Sequence, residues 1–193
     1  MRLSAHFTLE EITRSGWATA HGVQNIPDII ALANAGRLLV DEEEIRRLWY
    51  EPRGVQLFFN SLYRSPAVNV GVGGSTDEAT WFAALGQLDC TETEALERYG
   101  LKKPKAWKGR SYHVVACAMD FDPPGAGNGL PAMTHDELQR AMAKEDGLSF
   151  DLVMEEGALK PESEGGSRWL HYQIGLPGKS PRRLVRDATV DRL

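Results

Sequence analysis

Cysteine is scarce: Cys90 and Cys117 are the only two in 193 residues, too few for a disulfide framework and not spaced as a zinc ribbon. Long apolar runs are missing as well. No stretch approaches the roughly 18 residues that a membrane span needs. The first residues, Met1-Arg2-Leu3-Ser4-Ala5-His6, lack the apolar core of a signal peptide. The expectation is a chain made in the cytoplasm, with no membrane span and no signal peptide. Positive charge is in deficit too. Lys and Arg number 22 against 27 Asp and Glu, and the net charge of −5 leaves no overall footprint for nucleic acid.

What is present is ordinary for a soluble domain, with 42% apolar and 25% charged residues. The length suits one domain spanning 1–193 with a proper core. The chain is organised around Ser111-Tyr112-His113-Val114-Val115-Ala116-Cys117-Ala118-Met119-Asp120-Phe121-Asp122. After a turn-prone start, residues 116–122 alternate as a buried strand, with Ala118, Asp120 and Asp122 on one side and Cys117, Met119 and Phe121 on the other. An aspartate inside so apolar a strand needs a partner, because an unpaired buried charge is very costly. A metal ion shared with His113 is one such partner; a structural hydrogen bond is another. Catalytic zinc takes three protein ligands and leaves a fourth position for water, so a third ligand and a base are needed.

In chain order, Thr8-Leu9-Glu10-Glu11 opens a capping-box helix running to about Ala20. A longer helical region follows Ile26-Pro27-Asp28, with apolar spacing through Ile29, Leu32, Ala33, Gly36, Leu39, Val40, Ile45, Leu48 and Trp49. Gly36 and the acidic run 41–44 interrupt it. Residues 55–62 read as a central strand that delivers Arg64 to its end, with Pro66 stopping it. Residues 68–75 read as a glycine-rich connection. Residues 76–110 read as a helical insertion: one helix from Thr76-Asp77-Glu78, a second from Thr91 to Tyr99 closed by Gly100, then a basic tail with Trp107. After a loop at 123–129, Thr134-His135-Asp136-Glu137 is another capping box, which places His135 in an exposed first turn. Strands are expected at 150–156, at 168–175 carrying His171, and at an edge within 180–190. Helices first and loop-connected strands later argue for an α+β fold, its central sheet mainly antiparallel and covered by the N-terminal helices.

Ser111, His113, Ala118 and Asp120, followed by Trp169 and His171, resemble the Ser-x-His-x-x-Gly-x-Ala-x-Asp and Trp-x-His motifs of the zinc D-alanyl-D-alanine carboxypeptidase and murein endopeptidase family. Ser61-x-Tyr63-Arg64-Ser65, Leu3-Ser4-x-His6-Phe7-Thr8-Leu9-x-Glu11, Asn25-x-Pro27, Ser65-Pro66-Ala67-Val68-Asn69 and Val72-Gly73-Gly74-Ser75 resemble its phage-type branch, which includes endolysins. Together these motifs cover most of the chain. The resemblance implies a hedgehog-like, D-Ala-D-Ala-peptidase-like fold and one Zn²⁺ held by His113, Asp120 and His171. It also implies Arg64 as the group that holds a substrate carboxylate or stabilises an oxyanion, and Ser111 as a substrate-backbone partner. The implied partners are peptidoglycan stem peptides, cut at an amide bond. A monomer is expected, and the missing signal peptide fits release by a holin or carriage in a virion.

There are three departures. Ala116 stands where the motif has glycine, and residues 76–110 lengthen a connection. Arg168 occupies the position, three before the last ligand, where many relatives carry the acidic base. The phage-type Phe-Asp-x-x-x-x-Glu pattern falls on Phe150, Asp151 and Glu156, which makes Glu156 the expected base, with Glu155 and Glu164 as fallbacks. Two rival readings accompany this one: a zinc-binding but inactive wall-recognition or virion module, and a zinc-free hydrogen-bonded cluster.

Overall fold

The computed structural model describes residues 4, 6–8, 29–157, 168–176, 178 and 183–186, with the backbone alone at 155–157, 168, 185 and 186. The helix expected at 8–20, His21, the 26–28 start, the acidic loop at 158–167 and Glu164 lie outside these residues. His6 is exposed. Contacts divide the chain into two compact units, Met1–Ala35 with Leu62–Ala116, and Gly36–Ser61 with Cys117–Leu193.

The second unit holds a five-stranded sheet made of β1 (Phe59–Ser61), β2 (Ala118–Phe121), β3 (Phe150–Gly157), β4 (Arg168–Ile174) and β5 (Leu184–Arg186). The strand order is β1-β2-β4-β3-β5. The first four are antiparallel neighbours, and β5 runs parallel to β3 at the edge. The α+β class and the mainly antiparallel sheet are thus those expected. Register follows from alternation: Met119 faces Tyr172, Phe121 faces Leu170, and Val153 faces Tyr172 across the strands. These residues form one apolar side, and all of them are fully buried. Burying each such large side chain contributes about 1.5–3 kcal/mol.

Helix α1 (Ile29–Ile45) meets that side through Asp41, whose carboxylate accepts from Tyr172 Oη (2.6 Å), Ser149 Oγ (2.9 Å) and Ser149 N (3.1 Å). Burial raises the Asp41 pKa in spite of these three donors, which act in the opposite direction. Arg37 of the same helix donates to Gly175 O at 3.1 Å. Neither Gly36 nor the acidic run breaks α1, which continues into a π-helical turn at Arg46–Tyr50.

The buried stripe of α1 differs from the apolar periodicity. It consists of Ala31, Ala35, Leu38, Leu39 and Ile45 with Asn34, Asp41 and Glu42, whereas Ile29 and Val40 are exposed. Buried polar groups with partners take places that pattern reading gives to apolar ones: Asn34 donates to Val115 O, and Glu42 accepts from Arg46.

Two local expectations are corrected. The strand read at 55–62 is three residues long and lies at the sheet edge. A 3₁₀ turn at Glu51–Arg53, closed by left-handed Gly54 (φ 66), precedes it, and an irregularity in register shortens the pairing with β2. The connection read at 68–75 begins as a helix, α2 (Pro66–Gly71), because Ser65 Oγ caps it and Pro66 suits a first helical turn. Gly74 follows α2 because a side chain there would meet Asn69, whose amide already donates to Ser75 O.

In the first unit, α3 (Glu78–Leu88) is capped by Asp77, and α4 (Glu92–Tyr99) by a complete Thr91–Glu94 capping box. Trp81, Ala84, Leu85, Leu88, Ala95 and Leu101 pack with Ala67 of α2 into a small core. The two helices expected within 76–110 are therefore present. Helix α5 (His135–Ala143), in the second unit, starts with the expected Thr134–Glu137 box, but His135 is half-buried rather than exposed. Among the described residues no helix is long and apolar enough to cross a membrane.

Candidate metal centre

His113 lies in a 3₁₀ turn, Tyr112–Val115, which ends at Ala116 with φ 55 and ψ 34. That left-handed conformation suits glycine and costs about 1 kcal/mol or more for a residue with a Cβ. It gives a backbone reason for the glycine in the resembled motif. The turn leads directly into β2, whose four residues are all buried.

The His113 ring is 3% exposed and its Nδ1 lies 2.6 Å from Leu62 O. A carbonyl can only accept, so Nδ1 carries the hydrogen and Nε2 keeps its lone pair. A second partner of this kind is what fixes the tautomer of a metal-ligating histidine. Ser61, the residue before Leu62, pairs with Asp120 in the sheet. Ser61, the last residue of β1, thus pairs with the backbone of Asp120, and Leu62 just after it holds the ring of His113.

Asp120 and His171 face each other across β2 and β4. Asp120 is 1% and His171 7% exposed, and His171 Nδ1 lies 2.9 Å from Asp120 Oδ1. On its other side His171 Nε2 is 3.5 Å from Gln173 Oε1, a long contact. Gln173 Nε2 donates to Asp151 Oδ2 at 3.2 Å, which turns the amide oxygen toward the imidazole. If Nε2–H points to that oxygen, Nδ1 presents a lone pair to a carboxylate oxygen. Two acceptors this close require a cation between them, either a proton or a metal ion.

The ligand atoms of His113, Asp120 and His171 all lie within 4.8 Å of one another. Two ligands of tetrahedral zinc stand about 3.3 Å apart for bonds of about 2.0–2.1 Å. The group could therefore hold a metal ion. Two imidazoles and a carboxylate form a donor set that zinc, among other ions, accepts.

The remaining predicted residues stand as follows. Arg64 is half-buried, and its backbone N–H donates to His113 O at 3.1 Å, which joins it to the ligand turn. Ser111 is the half-buried N-cap of that turn, and its side chain makes no capping hydrogen bond. Glu156 pairs with Trp169 in the β3–β4 ladder, two positions from the Met154–His171 pair; Glu155 pairs with Leu170. The side chains of Glu155 and Glu156, like Arg168, are not among those described.

Sequence reasoning missed Gln173, although the period-two alternation of β4 puts it on the same face as His171, and gave Asp151 no role beyond a motif position. It read Cys117 correctly as a core residue. Cys117 is fully buried, and burial pushes its thiol up to about 11, so the thiolate chemistry of a ligand or nucleophile is suppressed. No protein-family model, curated protein or solved structure matches the chain.

Proposed function

We propose that this chain is a zinc-dependent peptidoglycan peptidase of the D-Ala-D-Ala peptidase type, with the hedgehog-like fold of that family and an endolysin-like role. The observation that carries the reading is the convergence of His113, Asp120 and His171, with ligand atoms within 4.8 Å of one another and all three side chains buried. These are the residues that the family motifs single out.

Bound zinc lowers the pKa of a coordinated water toward about 7 and polarises a carbonyl. The residues of the chain divide the remaining work. His113, held by Leu62 O, and His171, backed by Gln173, present fixed lone pairs to the ion. Asp120 supplies the negative charge, and its position inside β2 keeps the group rigid. Glu156 takes the proton of the attacking water and passes it to the leaving amine. Arg64 meets a carboxylate of the stem peptide or a developing oxyanion with its planar fork. Ser111, without a capping bond, is available to the substrate backbone.

Digestion of purified peptidoglycan with zinc-loaded and metal-stripped protein, read by mass spectrometry, tests the reading. New peptide termini that require the metal are expected, and they name the bond. Glu156→Gln is expected to keep zinc and lose turnover by two or more orders of magnitude, as loss of a general base does. Bound zinc with no cleavage by the unaltered chain would turn the reading into a wall-recognition module; no zinc binding at all would remove it.

A further inference from the structure

Among the described residues, the positive charge of the first unit is concentrated in the segment that leads into the ligand turn. Residues 101–110 contain Lys102, Lys103, Lys105, Lys108 and Arg110 and no acidic residue, in a chain of net charge −5. The segment is fixed at both ends. Leu101 is buried in the helical core and its N–H donates to Ala95 O, while Lys108 N donates to Thr76 O. Lys103 has structural partners: it pairs with Glu92 at 2.8 Å and places its ammonium 5.9 Å from the Phe82 ring and 5.7 Å from the Trp107 ring. Arg110 pairs with Asp77 at 3.2 Å.

Lys102, Lys105 and Lys108 differ from these two. All three are exposed and have no carboxylate partner among the described residues. Like charges gathered on one short segment repel one another, so packing gives no reason for them. Phe82 and Trp107, the two rings that the Lys103 ammonium approaches, remain 51% and 41% exposed. Ammonium groups next to exposed aromatic rings match a partner that carries spaced carboxylates on an apolar or sugar-bearing frame.

We propose that residues 101–110, together with Phe82, form a docking surface for peptidoglycan, gripping free carboxylates of its stem peptides through Lys102, Lys105 and Lys108. This rests on the peptidase reading above and adds to it how a chain of net negative charge holds its polymer. The chain runs from Arg110 through Ser111 and Tyr112 to His113, so the surface adjoins the ligand turn in sequence. A nucleic acid partner is less suited. Duplex DNA carries one charge per about 1.7 Å of axis, which three lysines on an otherwise acidic chain match poorly.

The test is cosedimentation of the chelator-treated full chain with purified sacculi freed of phosphate-bearing polymers, so that binding is read without hydrolysis. The unaltered chain is expected to sediment with the sacculi and to be released by salt. The Lys102→Gln/Lys105→Gln/Lys108→Gln variant should bind roughly tenfold more weakly and with a flatter salt dependence, the scale for losing three exposed charge contacts. A control variant, Arg47→Gln/Arg140→Gln/Lys144→Gln, carries the same change in net charge and should bind like the unaltered chain. Equal binding by the lysine variant overturns the proposal. So does binding that needs the phosphate polymers, or displacement from sacculi by a single-stranded oligonucleotide at lower concentration than by free stem peptide. Lysine-dependent binding by a chain that cuts nothing when zinc-loaded keeps this proposal and removes the peptidase reading. Metal-dependent cleavage with unchanged binding by the lysine variant does the reverse.

Discussion

Metal binding should stabilise the fold by an amount that can be set in advance. His113, Asp120 and His171 are 3%, 1% and 7% exposed, so a cation held by them binds the folded chain and has no comparable site in the unfolded one. At a free zinc concentration one hundred times the dissociation constant, linkage gives about 2.7 kcal/mol of added stability. For a chain of 193 residues that corresponds to a rise in Tm of roughly 5–10 °C. Asp120→Asn removes the charge of the donor set but keeps its shape, and an amide oxygen can still accept from His171. This variant should melt close to the metal-free unaltered chain and lose most of the zinc-dependent shift. The assay is differential scanning fluorimetry after chelation, titrated with zinc, alongside a count of zinc per chain after dialysis. An equal shift in the unaltered chain and in Asp120→Asn would place the metal elsewhere and refute the reasoning. So would one tightly bound zinc per chain with no shift, because an ion bound only by the folded state must stabilise it.

Two further outcomes concern the fold that carries the site. Burial holds the Asp41 pKa above its ordinary 3.8, so the native state binds that proton more tightly than the unfolded state. Its contribution is complete below about pH 3.8 and is lost as pH rises through the raised value. The stability of the unaltered chain minus that of Asp41→Asn should therefore fall from pH 3.5 to 7, and a difference that rises with pH in urea melts would contradict this. Trp81 is fully buried in the core of α3 and α4, so Trp81→Ala should cost about 3–5 kcal/mol. A loss below about 1 kcal/mol in the same melts would mean that this core does not hold the helices together.

The sequence by itself determined the features written in local chemistry. The Thr91–Glu94 and Thr134–Glu137 boxes start helices where they stand, since a cap needs only residues three apart. The alternation in 118–121 and 168–174 makes strands and, by period alone, puts Asp120 on the side away from Met119 and Phe121. The resemblance to the family motifs, not local chemistry, named His113, Asp120 and His171 as a ligand set. The tertiary structure decided what depends on distant partners. Asn34 and Asp41 are buried on α1 because Val115 O, Tyr172 and Ser149 satisfy them, and no periodicity in 29–45 announces those partners. The segment at 55–62 has strand-forming residues, yet its pairing with β2 alone limits it to three residues at an edge. The 2.6 Å contact of His113 Nδ1 with Leu62 O sets which nitrogen of that ring carries the hydrogen. That contact joins residues fifty-one positions apart, and hydrogen-bond geometry of this kind exists only once the chain has folded.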